Sequence, residues 1–199
     1  MPKVIDYYFA TISPYAYLGY DRLTAIAQNH GATVAVKPMN LGEVFPVSGG
    51  LPLSKRAPQR QAYRLVELRR WAQFLGKPMN IQPKFFPVNG DLAACWMLAA
   101  AELSMPQALT LAGAVGRAIW EQERDISDNG TMAAIASDAG LSAAALAARA
   151  QAPEIAAKYA AHTQEAIALG VFGAPTYVVD GELFWGQDRL DFLDRKLAK

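Results

Sequence analysis

Residues 170–188 read GVFGAPTYVVDGELFWGQD, and this stretch decides the architecture. Pro175 to Val179 is short and rich in β-branched and aromatic types, Asp180-Gly181 is a two-residue hairpin signal, and Glu182 to Trp185 returns as the second arm. A last helix is predicted from about Gln187 to the C-terminus. At the other end of the chain, KVIDYYF (3–9) reads as a buried strand and Ser13-Pro14 as the cap and first residue of a helix reaching Asn29. TVAV (33–36) is then a second strand, and a crossover of that length favours two parallel neighbours in one sheet. Between the two ends, 40–53 and 78–87 read as proline-marked loops. Segments 57–75, 91–103, 107–123, 131–138, 142–150 and 154–169 read as helices, the later ones separated by Pro106, Gly130, Gly140 and Pro153.

The order is therefore βαβ, a helical block, then ββα. This is an α/β, thioredoxin-like arrangement: residues 1–53 and 171–199 share one mixed sheet, and 54–170 form an inserted all-helical domain. Composition agrees with a chain that folds unaided, since 52% of its 199 residues are hydrophobic and 19% charged, against about 25% charged in a typical domain. Nineteen Lys and Arg against 18 Asp and Glu leave a net charge of +1, which offers no basic field for nucleic acid. A single cysteine, Cys95, and two histidines exclude an intrachain disulfide and a dedicated zinc site. The longest uninterrupted apolar run, Leu92 to Ala101, is about half of what a membrane span needs, and the N-terminal segment lacks the basic start of a signal peptide. A cytoplasmic protein with no membrane partner is expected.

Chemistry in this arrangement belongs where the first strand hands over to the first helix, because free N–H groups and the helix dipole stabilise an anion there. That turn reads Ser13-Pro14-Tyr15-Ala16, without the two cysteines that dithiol–disulfide exchange requires. Ser13 is an ordinary capping residue, and it is also able to donate a hydrogen bond to a bound thiol and favour its thiolate form. The thiol would then come from a ligand. Pro175 is cis in the thioredoxin arrangement, which leaves the Ala174 N–H and C=O free for an extended peptide; the alternative is a trans proline opening an edge strand. At Gly186-Gln187-Asp188-Arg189, backbone N–H groups suit a carboxylate and Asp188 suits an ammonium, the two ends of a γ-glutamyl α-amino acid; Asp188 could equally just complement the helix dipole. For an apolar wall the candidates are Tyr15, Phe85, Phe86, Trp96 and Trp120, with Trp96 read as plain core and Phe85 and Phe86, in QPKFFPVNG, favoured for substrate. Cys95 reads as an inert buried thiol, and His162 is assigned no chemistry.

The segments FATISPYAY (9–17), PQRQAYRLVELRRW (58–71), GVFGAPT (170–176) and FWGQDRL (184–190), in this order, resemble the 2-hydroxychromene-2-carboxylate isomerase family, relatives of the kappa-class glutathione transferases and, more distantly, of DsbA. The resemblance implies glutathione as cofactor, with Ser13 on its sulfur, Ala174 and Pro175 on the cysteinyl backbone, and Gln187 and Asp188 on the γ-glutamyl group. Lys55 and Arg56 suit its glycine carboxylate. It also implies a homodimer and a cis–trans isomerisation of a small aromatic carboxylate in naphthalene-type degradation. The route is conjugate thiolate addition, ring opening, rotation about the resulting single bond and elimination. Tyr15, Phe85, Phe86 and Lys84 are the expected substrate contacts, with Asn80 and Arg60 as further candidates for the substrate's negative charge. Two alternatives stay open: a kappa-like transferase or peroxidase that consumes glutathione, and a redox-inactive thioredoxin-fold protein that binds peptides along its Pro175 edge.

Overall fold

The computed structural model describes residues 3–199; Met1 and Pro2, the first positions of the expected 1–53 segment, lie outside the described residues. Strands β1 (Val4–Phe9), β2 (Thr33–Pro38), β3 (Thr176–Val179) and β4 (Glu182–Trp185) form one sheet in the order β2-β1-β3-β4. β1 runs parallel to β2 and antiparallel to β3, in the register Asp6↔Val178, Tyr7↔Tyr177, Tyr8↔Thr176. The β3–β4 hairpin closes through Asp180 and Gly181 at φ 51° and 78°, the left-handed pair that a tight primed turn demands and that Asp-Gly supplies at little cost. The mixed sheet built from both ends of the chain is thus as expected.

The two-residue period of β1 sorts its side chains. Ile5, Tyr7 and Phe9 enter the main core, where the Tyr7 ring stacks at 4.3 Å on Phe9 and 5.5 Å on Tyr177. Tyr8 faces the other way, into a smaller core with Met39, Val44, Ala166, Val171 and Val178. Helix α1 (Pro14–Asn29) provides the crossover between β1 and β2. The inserted helices are α3 (Pro58–Phe74), α4 (Asp91–Leu103), α5 (Met105–Trp120), α6 (Asn129–Asp138), α7 (Ala143–Ala150) and α8 (Pro153–Ala168), and α9 (Leu190–Leu197) ends the chain. Trp96, Met97, Leu111, Val115 and Trp120 of α4 and α5 join the same core as β1, so insert and sheet share one interior. α8 covers the opposite face, where the Lys37 ammonium meets Asp6 at 3.2 Å and Glu165 at 2.8 Å.

Three expectations need correction. Residues 40–53 are not all loop: Leu41–Ser48 is a helix, α2, capped by the Asn40 side-chain Oδ1, which accepts the Gly42 N–H at 2.8 Å, and stopped by Gly49 at φ 76°. Pro46 removes one bond from it, and the cap and stop outweigh that loss. Pro106, Gly130 and Pro153 do not separate helices but sit in their first turns, where a missing N–H bond costs nothing. α5 also ends at Trp120 rather than 123, because Glu123 turns left-handed at φ 53°.

α1 approaches the last hairpin closely at Gly19, where a Cβ would lie 2.8 Å from the Gln187 Cβ and 3.0 Å from the Tyr177 hydroxyl. Gly19→Ala is expected to destabilise the fold by about 1–3 kcal/mol, read from urea unfolding. Acid weakens the insert at Glu102, which accepts from Arg149 at 3.0 Å and from Lys158, bonds that hold its carboxyl at about 2. A depressed folded pKa means this contribution is present above the unfolded value near 4.5 and is lost as pH falls toward 2. Glu102→Gln should therefore flatten the fall in melting temperature over that window.

Candidate active site

Ser13 stands at the junction of β1 and α1 with extended backbone, φ −72° and ψ 121°. Its Oγ accepts the Ala16 N–H at 3.2 Å and its own N–H donates to the Ala10 carbonyl at 2.9 Å. The residue is 8% exposed, and its hydroxyl hydrogen is given to no other described residue, so one donor remains for a ligand. The first turn of α1 carries no acidic side chain, which leaves the positive end of its dipole uncompensated.

Register brings the C-terminal candidates to this end of the sheet. Tyr8 pairs with Thr176, and Thr176 pairs with Trp185, so the segments before β3 and after β4 both lie beside the strand–helix junction. The Ala174–Pro175 bond is cis. The Gly186 N–H donates to the Pro175 carbonyl at 2.8 Å, and the Thr176 hydroxyl to the Gly173 carbonyl at 2.8 Å. Among the described residues, the Ala174 N–H and C=O make no backbone hydrogen bond. Gly186, at φ 100°, lies where a Cβ would be 2.4 Å from Asp188 Oδ1; only glycine permits that approach.

The candidates differ in what they offer. Gln187 is 2% exposed, packed under Gly19, and both its side-chain and backbone carbonyl oxygens accept from the Arg22 guanidinium, at 3.4 and 3.2 Å, so only its backbone N–H is available to a ligand. Asp188 keeps a partly exposed carboxylate paired to Arg189 at 2.7 Å. Lys55, on a 3₁₀ turn at Leu53–Lys55, points to solvent, whereas Arg56 is held by its Nε–H on the Leu51 carbonyl at 2.8 Å. Tyr15 is half-buried, and burial raises its hydroxyl pKa; the charges that act on it are Arg64 and Glu67 of α3, Arg56 after the 3₁₀ turn and Asp188 after β4.

The loop carrying Phe85 and Phe86 is tied to the same corner by the Thr11 hydroxyl, which donates to the Gly90 carbonyl at 3.1 Å. Both phenylalanines are partly exposed. Phe86 leans on Trp120 at 4.9 Å, and Lys84 lies 5.0 Å over Phe85. Trp96 and Trp120 are fully buried, so Trp120 backs the wall rather than forming it. Asn80 is structural: its N–H and side-chain amide donate to the carbonyls of Trp120 and Glu121 at 2.6 and 3.2 Å. Arg60 faces solvent. Cys95 is partly exposed, its thiol pKa pushed up by burial and by Asp91; burial lowers His162, whose Nδ1 has no partner among the described residues.

Sequence reasoning singled out neither Arg64 nor the Phe172–Trp185 pair. Arg64 lies four residues before the fully buried Leu68 and eight before Ala72, on the inner stripe of α3, while Arg60, Arg69 and Arg70 face out. That phase was the available signal. Phe172 and Trp185, 44% and 51% exposed and 4.7 Å apart, flank the Gly173–Ala174 backbone.

The family described as DSBA-like thioredoxin domain matches residues 4–198. The chain is 31% identical over 198 residues to a 2-hydroxychromene-2-carboxylate isomerase of Sphingobium xenophagum, covering 99% of both sequences. It is 26% identical to glutathione S-transferase kappa 1 of Rattus norvegicus, over 96% of this chain and 89% of that one. A solved structure of 2-hydroxychromene-2-carboxylate isomerase superposes with a TM-score of 0.80 at 28% identity, over 98% of this chain and 94% of that one.

As an N-cap, Ser13 has a measurable structural role apart from any ligand. Ser13→Ala is expected to lower stability by about 1 kcal/mol, seen as a lower urea midpoint with an unchanged slope.

Proposed function

Because the chain belongs to the DSBA-like thioredoxin family, in the group of the 2-hydroxychromene-2-carboxylate isomerases, we propose that it is a glutathione-dependent cis–trans isomerase acting on 2-hydroxychromene-2-carboxylate and trans-o-hydroxybenzylidenepyruvate, the aromatic ring-cleavage products of naphthalene-type catabolism. The observation that carries this reading is the uncommitted Ser13 hydroxyl at the head of α1, at a turn that holds no cysteine. A sulfur stabilised there comes from outside the chain.

The residues present fit the tripeptide. Ala174 offers an N–H and a C=O with no backbone partner, suited to an extended cysteinyl unit. The Gln187 and Asp188 N–H groups make no backbone bond among the described residues, and together with the Asp188 carboxylate they suit the carboxylate and ammonium of a γ-glutamyl end. Arg56, with Lys55 beside it, suits the glycine carboxylate. When bound, glutathione would supply a thiolate that adds reversibly to the unsaturated carbon β to the substrate carbonyl, turning a double bond into a rotatable single bond until elimination restores it. Ser13 donates to that sulfur, and the dipole of α1 favours its charged form; each unit of thiol pKa so gained is worth about 1.4 kcal/mol. Tyr15, Phe85 and Phe86 provide the aromatic wall, and Lys84 a cation at its rim.

The rat kappa-class relative keeps a second reading in play, a transferase or peroxidase that uses the same thiolate and consumes it. The protein is further taken to be a cytoplasmic homodimer. No described helix is long and apolar enough to cross a membrane, and α3 leaves Tyr63 57% and Phe74 78% exposed among the arginines of its outer side.

Calorimetric titration with reduced glutathione beside S-methylglutathione tests the thiolate site. Tighter binding of the free thiol with proton release is expected, and a wild-type protein that binds neither ligand sinks the proposal. With the chromene substrate, glutathione should be recovered unconsumed, and Ser13→Ala should lower kcat roughly a hundredfold. Stoichiometric loss of glutathione would select the transferase reading.

A further inference from the structure

Arg64 stands apart from most other partly buried cations of this protein. Lys37, Lys77 and Arg124 each sit against a carboxylate, at 2.8, 2.7 and 2.9 Å. Arg64 lies on the inward stripe of α3 with Leu68 and Ala72, and among the described residues it makes no hydrogen bond and no ion pair. The carboxylate one turn along, Glu67, is taken by Arg70 at 3.0 Å. The guanidinium rests 5.1 Å over the Phe86 ring, which in turn leans on Trp120. The other ionisable groups that act on it are the Tyr15 phenol and a like charge, Arg56; burial lowers its pKa, Tyr15 opposes that and Arg56 adds to it. A partly desolvated cation whose ionisable neighbours are a phenol and a second cation is costly until an anion arrives.

We propose that Arg64, lying over Phe86 and beside Tyr15, is the receptor for the carboxylate of an aromatic 2-oxo acid, and so sets substrate specificity at this site. The inference rests on the isomerase reading for its substrate class and on the local geometry for the residue. A guanidinium presents a planar fork that meets a carboxylate with two parallel hydrogen bonds, and the Phe86 face offers the adjoining aryl group a stacking partner. Tyr15, in the first turn of α1 just after the Ser13 cap, sets this receptor at the same end of α1 as the thiol position. The carboxylate could come from either of two molecules, the substrate or the glycine end of glutathione. The aromatic floor favours the substrate and leaves Arg56 for the tripeptide.

The test is equilibrium binding of phenylpyruvate, with glutathione present, to the wild-type protein, Arg64→Met and Arg64→Lys, beside phenylacetone, which replaces the carboxylate by a methyl group. Phenylpyruvate should bind the wild type and weaken about thirtyfold in Arg64→Met, with partial recovery in Arg64→Lys. Phenylacetone and glutathione affinities should stay within roughly twofold, the spread expected of an untouched subsite. Equal phenylpyruvate affinity in wild type and Arg64→Met overturns the assignment, as does no binding to the wild type. A loss that falls on glutathione instead overturns it too and gives Arg64 to the tripeptide. These readouts need no turnover, so a wild-type protein that fails to isomerise the chromene refutes the proposed function and leaves the carboxylate receptor standing.

Discussion

The pairing of β1 with β3 holds this molecule together as a functional object. Strand β1 alone, with β2 and α1, would be a parallel unit whose β1 edge is open. The three register pairs Asp6↔Val178, Tyr7↔Tyr177 and Tyr8↔Thr176 close that edge with residues from the far end of the chain. Tyr7, stacked between Phe9 and Tyr177, makes the pairing an aromatic contact as well as a ladder of hydrogen bonds. Because the side-chain period of a strand is two, a slip of β1 by one residue would move Tyr7 away from Tyr177 to the face of the smaller core and put Tyr8 in its place. The register that satisfies both cores is therefore the one that sets Ala174 and Asp188 beside the Ser13 junction.

The site gathers groups whose bonding is deliberately incomplete. Ser13 spends an acceptor on its own helix and keeps its donor. Ala174 keeps both backbone groups, and Arg64 keeps its charge unpaired. Elsewhere Asn80 is tied to the end of α5 and Lys37 to Asp6 and Glu165, while the buried Trp96 and Trp120 Nε1, His162 Nδ1 and Tyr177 hydroxyl have no partner among the described residues. What sets this corner apart is that a free donor, two free backbone groups and an unpaired cation gather there, a combination that a polar, anionic ligand would complete.

Much of the fold was legible because its signals are local. Asp-Gly closes a hairpin, Ser-Pro opens a helix, and alanine-rich segments with helical spacing become helices. α2 was missed because Pro46 and the Gly49-Gly50 pair outweighed the capping pair Asn40 and Glu43, which also stood in the sequence. The site was legible to the extent that it is made of backbone and caps: Ser13, Ala174 and Asp188 follow from position in the fold. Gln187 and Arg64 do not. Gln187 faces inward because Gly19 leaves room for it and Arg22 draws its oxygen. Spacing places Arg64 on the stripe of Leu68 and Ala72, away from Arg69 and Arg70, but that it is more buried than Arg60 and lies over Phe86 is a tertiary fact that spacing does not carry.

The sheet order also has a consequence in time. The chain is made from its N-terminus at about 5–20 residues per second, so β1 and β2 exist long before β3 leaves the ribosome. Throughout that interval the β3-facing edge of β1, flanked by Tyr7 and Phe9, has no partner and is an open template for wrong pairing. The helical insert emerges meanwhile, and α4 and α5 can cover the aromatic face of β1 before its edge is closed. On this view the insert shields a half-built sheet during synthesis, and no ligand can be held until the last hairpin is complete. Binding competence then becomes a property of finished chains only.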